Sequence, residues 1–116
     1  MLSPADDLLL LYITCPSVEV AEAIARPLVG ERLVACANLI PGLVSIYAWK
    51  GELQRDAECL LLLKTTREAA VAVAQRVRDL HPYENPCLVT FAADAALPDY
   101  LGWLRASVEP PERRSR

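Results

Sequence analysis

The chain has 116 residues, enough for one domain with its own hydrophobic core and no need of metal or disulfide staples. Hydrophobic residues make up 53% and charged residues 23%, which excludes a disordered chain. The formal charge is −3, and three of the 12 basic residues (Arg113, Arg114, Arg116) crowd the last positions, so the body is more acidic still and argues against a nucleic-acid surface.

Residues 1–7 are acidic and are expected to be a flexible lead-in without a secretory signal. Leu8–Cys15 is apolar throughout except for Thr14, and Pro16 stops it, which predicts a strand buried on both faces. Ser17 is a candidate N-cap for a helix whose apolar face is Ala21, Ile24, Ala25 and Leu28. Pro27 lies inside that pattern and should kink or shorten the helix, because it has no N–H to donate.

Val34–Trp49 then predicts a long strand bent at Pro41-Gly42, and Lys50-Gly51 a tight turn with positive φ at Gly51. Glu52–Lys64 is the returning strand, and Glu52–Asp56 is expected on its solvated face. Thr65-Thr66-Arg67-Glu68 has the form of a capping box, opening a second helix with Ala70, Val73, Ala74 and Val77 on its apolar face. His81-Pro82 ends that helix. Cys87–Ala92 is a short strand, and Leu97, Tyr100, Leu101, Leu104 and Val108 mark a last helix with Pro98 in its first position. Residues 109–116 are expected to be a flexible tail, leaving 8–108 as a single domain.

The order β-α-β-β-α-β-α predicts an α+β, ferredoxin-like βαββαβ sandwich with an extended β-hairpin and a C-terminal helix. The hairpin strands run about twice the usual 5–6 residues or more, so they should project past the sheet. Bare edges of that length invite pairing with another chain, which predicts an oligomer. No apolar run approaches the ~20 residues of a spanning helix, and a soluble cytoplasmic protein with no membrane partner is expected. Cys15, Cys36, Cys59 and Cys87 form no C-x-x-C pair, so Cys36 and Cys59 are expected as reduced core thiols.

Five blocks stand in register along this chain. They are Ala35-Cys36-Ala37-Asn38-Leu39-Ile40-Pro41-Gly42, Tyr47-Ala48-Trp49-Lys50-Gly51-Glu52-Leu53, Leu61-Leu62-Leu63-Lys64-Thr65-Thr66, His81-Pro82-Tyr83-Glu84-Asn85-Pro86 and Asp99-Tyr100-Leu101-Gly102-Trp103-Leu104. In this order they closely resemble the CutA divalent-cation tolerance proteins, over about residues 8–108. The resemblance implies a homotrimer of ferredoxin-like protomers, related in architecture to the PII signalling proteins. It implies copper or another divalent metal ion as the bound species, no organic cofactor and no enzymatic activity.

The resemblance attaches metal binding to the His-Pro-Tyr segment, so His81 and Cys87 are the candidate metal ligands. Imidazole is a common ligand for transition metals, though a histidine at a helix end can instead cap the last carbonyls. Cys87 departs from the acidic residue usual at this point in the family. A thiolate there would favour Cu(I) or zinc over hard cations; a buried filler at the start of a strand is the plainer role. Cys15 lies offset from the family's strand-one cysteine and takes no role from it. Tyr47, Trp49, Lys64, Tyr83 and Glu84 resemble residues that line the family's cleft between subunits. Trp and Tyr also serve permanent interfaces, and Lys64 could bind an anion or pair with Glu84. The alternative function is therefore a PII-like signalling module holding a small anionic ligand in those clefts. An enzyme built on a Cys–His pair has the least support, since no third group is present to orient it.

Overall fold

Alternation rather than continuous burial organises the first long strand. The computed structural model describes residues 1–109. In it Leu9, Leu11, Ile13 and Cys15 point into the core, and Leu10, Tyr12 and Thr14 point the other way and are only half-buried. The apolar run therefore has one core face and one apolar open face, not two core faces as its composition suggested.

The elements in chain order are β1 (Ser3–Pro4), β2 (Leu8–Cys15), α1 (Val18–Gly30), β3 (Cys36–Trp49), β4 (Glu52–Thr66), α2 (Ala70–Leu80), β5 (Leu88–Ala92), β6 (Ala95–Ala96) and α3 (Pro98–Ser107). The main sheet has the order β3-β4-β2-β5, with every neighbouring pair antiparallel. On its core face Leu61 and Leu63 of β4 lie opposite Ile13 and Leu11 of β2, and Ile24, Leu28, Val73 and Val77 of α1 and α2 close the same hydrophobic cluster.

α1 carries the expected face, with Ala21, Ile24, Ala25 and Leu28 buried, and the Ser17 side chain accepts from the Val20 amide at 3.2 Å. Pro27 does not end it. The helix runs on to Gly30, and Leu28 then accepts from the amides of Leu33 and Val34 to turn the chain. The second helix starts later than the capping box implied. Thr65 belongs to β4, where its buried hydroxyl donates to the Leu33 carbonyl at 2.6 Å. Thr66 accepts from the Ala69 amide at 3.4 Å, and α2 opens at Ala70 with no side-chain cap.

The N-terminus is also more ordered than residues 1–7 alone implied. Ser3–Pro4 pairs with Ala95–Ala96, Ala5 is fully buried, and Asp7 takes a two-pronged hydrogen bond from Arg105 at 2.8 Å on each oxygen. The tail expectation beyond Glu109 lies outside the described residues.

β2 pairs with residues 59–66 of β4 only, so residues 52–58 meet β3 alone and form a two-stranded arm. At about 3.3 Å per residue the arm extends roughly 20 Å past the sheet. Its turn holds both Lys50 (φ 50) and Gly51 (φ 79) in the left-handed region.

Where the arm begins, the β3–β4 register slips. Ile40 lies opposite Leu60 and Leu43 opposite Glu58, so Pro41 and Gly42 together face Cys59. This is a one-residue bulge, with Gly42 at φ 86. Before it Cys36, Asn38 and Ile40 share the open face with Leu60, Leu62 and Lys64. After it Leu43, Ser45, Tyr47 and Trp49 take that face beside Gln54, Asp56 and Glu58.

Candidate functional site

A cavity of ≈ 750 Å³ lies between the open face of the sheet, the arm and the segment that follows α2. β2 contributes Tyr12 and Thr14, β3 Ser45, Tyr47 and Trp49, and β4 Asp56 and Glu58; Pro82, Tyr83, Glu84, Asn85 and Cys87 close the other wall. Three carboxylates and four aromatic side chains line it, and among the described residues no Lys or Arg does.

Two phenols bridge its walls to the acids. Tyr83 Oη donates to Glu58 Oε2 at 3.0 Å, and the Tyr47 hydroxyl donates to Asp56. Burial, then the Glu58 hydrogen bond and nearby negative charge, push the Tyr83 phenol up to about 12. The bond to Asp56 is the main reason Tyr47 is also held above its ordinary value. Both phenols therefore stay protonated at neutral pH and act as donors, orienting the carboxylates along the cavity wall.

The cavity brings together Tyr47, Trp49, Tyr83, Glu84 and Cys87 of the expected site residues. Lys64 is not among them. It lies farther along β4, opposite Leu10 and Cys36, where its ammonium donates to Tyr100 Oη at 3.1 Å and sits 5.4 Å from that ring's centre.

His81 lies beside the cavity rather than in it, 6% exposed. Its Nε2 is 2.8 Å from the Thr14 carbonyl, and the Tyr83 amide donates to its Nδ1 at 3.2 Å. A carbonyl only accepts, so the proton is on Nε2 and the Nδ1 lone pair is taken by Tyr83. As folded, the ring offers a metal no free lone pair. It pins the His-Pro-Tyr segment to β2, and its ring packs 4.8 Å from that of Tyr83. Cys87 is exposed at the cavity rim. Among the described residues no three His, Cys, Asp or Glu side chains converge to hold an ion. The His81–Cys87 pair therefore does not make a metal site in this geometry. The carboxylates suit a cation that keeps most of its water, since hard ions take oxygen ligands and tolerate shared hydration.

Asp56 and Glu58 are the site residues that sequence reading missed. Glu52, Gln54, Asp56 and Glu58 alternate along β4, a period of two that puts them on one face, but solvation was the simpler inference. Only the register with Tyr47 and Trp49 shows that this face lines a cavity. Of the two expected core thiols Cys59 is buried, whereas Cys36 is half-buried on the open face; Cys15 is also buried and Cys87 is exposed.

Among the described residues no helix is long and apolar enough to cross a membrane. A family model described as CutA1 divalent ion tolerance protein matches residues 9–107. The divalent-cation tolerance protein CutA of Thermus thermophilus is 50% identical over 95 residues, 82% of this chain and 92% of that protein. The human Protein CutA is 41% identical over 98 residues, 84% of this chain, and the chain spans 55% of its length. The solved structure of CutA from Synechococcus elongatus matches with a TM-score of 0.90 at 32% identity, covering 94% of this chain and 96% of that one. Matching along nearly its whole length in both sequence and fold, the chain belongs to the CutA1 divalent-ion tolerance family.

Proposed function

We propose that this is a non-enzymatic, homotrimeric protein of divalent-cation tolerance and response, with copper among the ions it meets, that binds hydrated cations in the acidic cavity. The observation that carries the reading is the lining itself: three carboxylates, two of them oriented by phenols, and among the described residues no basic side chain. Such a wall favours a cation and repels the anionic ligand of the PII-like alternative.

Assembly into a trimer of ferredoxin-like protomers is supported by the open face. Ile40, Val89 and Phe91 are about half exposed there beside Leu10, Leu60 and Leu62. An apolar area of this breadth on a single chain marks an interaction surface. Trp49 and Tyr47 extend it onto the arm, and Lys64 lies on the same face. Four free cysteines fit a reducing compartment, the cytoplasm.

Titration calorimetry of the assembled protein against copper(II), zinc and a nucleotide panel tests the function. Cation heats that vanish in Asp56→Asn/Glu58→Gln support it. Nucleotide binding without cation binding would put the PII-like reading first.

A further inference from the structure

Cys15 and Cys59 stand directly opposite each other in the β2–β4 register. Both side chains point into the core, 0% and 1% exposed, on the face of the sheet away from the acidic cavity. They form the last rung of the β2–β4 ladder. Pro16 follows Cys15 and has no N–H to carry the ladder on, while the Pro41–Gly42 bulge faces Cys59 from the other side.

Directly opposed residues in an antiparallel pair hold their Cβ atoms about 4.5–5.5 Å apart. A disulfide draws them to about 3.5–4.5 Å. Both thiols are free in the structure, and the spacing typical of such a rung suits two sulfurs with an atom between them. Thiolates select soft ions, and no third His, Cys, Asp or Glu among the described residues completes a group with these two. A structural zinc needs four ligands and is not satisfied here. A d¹⁰ monocation content with two sulfurs is.

We propose that Cys15 and Cys59 form a two-coordinate thiolate site for a soft monovalent ion of the Cu(I) or Ag(I) class, separate from the acidic cavity and not resting on its assigned function. On binding, two S–H bonds break, two sulfur–metal bonds form and two protons leave to solvent, with no electron transferred. The pair is protonated beforehand, since burial pushes Cys15 up to about 12 and also raises Cys59. The bound unit carries one net negative charge, and α1 opens at Val18, three residues past Cys15, with the positive end of its dipole toward this end of β2. Entry needs only the terminal rung to fray.

The test is competition on the intact protein, with Ag(I) and anaerobically held Cu(I) against a chromogenic chelator. One ion per chain is expected, lost in Cys15→Ser and in Cys59→Ser, and kept in Cys36→Ser/Cys87→Ser and in Asp56→Asn/Glu58→Gln. Retention in Cys15→Ser/Cys59→Ser, or loss in either of the other two double variants, would overturn the site. Because a core variant can fail to fold, the unmutated protein is also alkylated in mild urea with and without Ag(I), and its thiols are mapped by mass. Protection of Cys15 and Cys59 alone supports the site; protection of Cys36 or Cys87 instead overturns it.

Discussion

The imidazole of His81 donates through Nε2 to the carbonyl of Thr14 at 2.8 Å, tying the end of α2 to the last residues of β2 across 67 positions of chain. With Tyr83 donating to Nδ1, this ring acts as a strut. His81→Ala leaves a carbonyl and an amide unpaired at a half-buried site and should cost about 1–3 kcal/mol of stability. Urea denaturation measures that loss. Copper(II) affinity of the folded variant should stay within error of the parent; a large fall would restore His81 as a ligand.

The open face makes the second prediction. Phe91 is 54% exposed opposite Leu10, and Ile40 is 48% exposed opposite Leu60. Sedimentation should show a trimer at micromolar concentration, and Phe91→Glu/Ile40→Glu should shift it to monomers with the same helix content. A trimer unaffected by both charges would place the interface elsewhere.

Thiol reactivity should follow burial. Cys87 reacts at once in the native state, Cys36 more slowly, and Cys15 and Cys59 only as the structure opens. Timed alkylation with mass mapping resolves the order. Early labelling of Cys59 would contradict its place in the core.

Alkaline titration reports the Tyr83–Glu58 contact. A phenol held up to about 12 when folded and at about 10 when unfolded keeps its proton longer in the folded state. Folding thus binds more protons between pH 10 and 12, and stability should fall as pH rises through that window. Glu58→Gln removes the acceptor charge and should bring Tyr83 part of the way back, since burial is the larger cause. Ultraviolet difference spectra follow both steps.

The hairpin turn offers a stabilising change as well as a damaging one. Nothing lies within 4 Å of a Cβ built on Gly51, so strain at Gly51→Val comes from its φ of 79 alone, about 1–3 kcal/mol. Lys50, at φ 50, also sits where Asn is favoured, so Lys50→Asn should raise the melting temperature. Thermal unfolding of the two variants should move in opposite directions.

Periodicity made the helices legible: Ala21, Ile24, Ala25 and Leu28 are the buried face of α1, and Val73 and Val77 that of α2. The β-α-β-β-α-β-α order of the longer elements followed from the same patterning and the turns. Three features escaped it. The half-exposed face of Leu8–Cys15 looked buried because an apolar surface reads alike whether helices or other chains cover it. Thr65 looked like a cap because its spacing to Glu68 fits one, whereas the hydroxyl is used by Leu33 across the sheet. The partnership of Cys15 with Cys59, and of Asp56 with Tyr47, depends on strand register, and no local pattern encodes that.

The slip at Pro41–Gly42 works as a half-period phase shift in a two-residue wave. Without it the even positions of β3 would stay on the open face to the tip, and Val44, Ile46 and Ala48 would stand where Ser45, Tyr47 and Trp49 now stand. The cavity would lose the Tyr47 phenol and the Trp49 indole and gain a strip of aliphatics, with the composition unchanged. Deleting Pro41 or Gly42 would remove the bulge yet leave Leu43 opposite Glu58 and Tyr47 opposite Gln54. A single residue inserted just beyond the bulge would instead invert the arm and do more to the site than several substitutions within it. The chemistry of this wall is set by counting as much as by residue type.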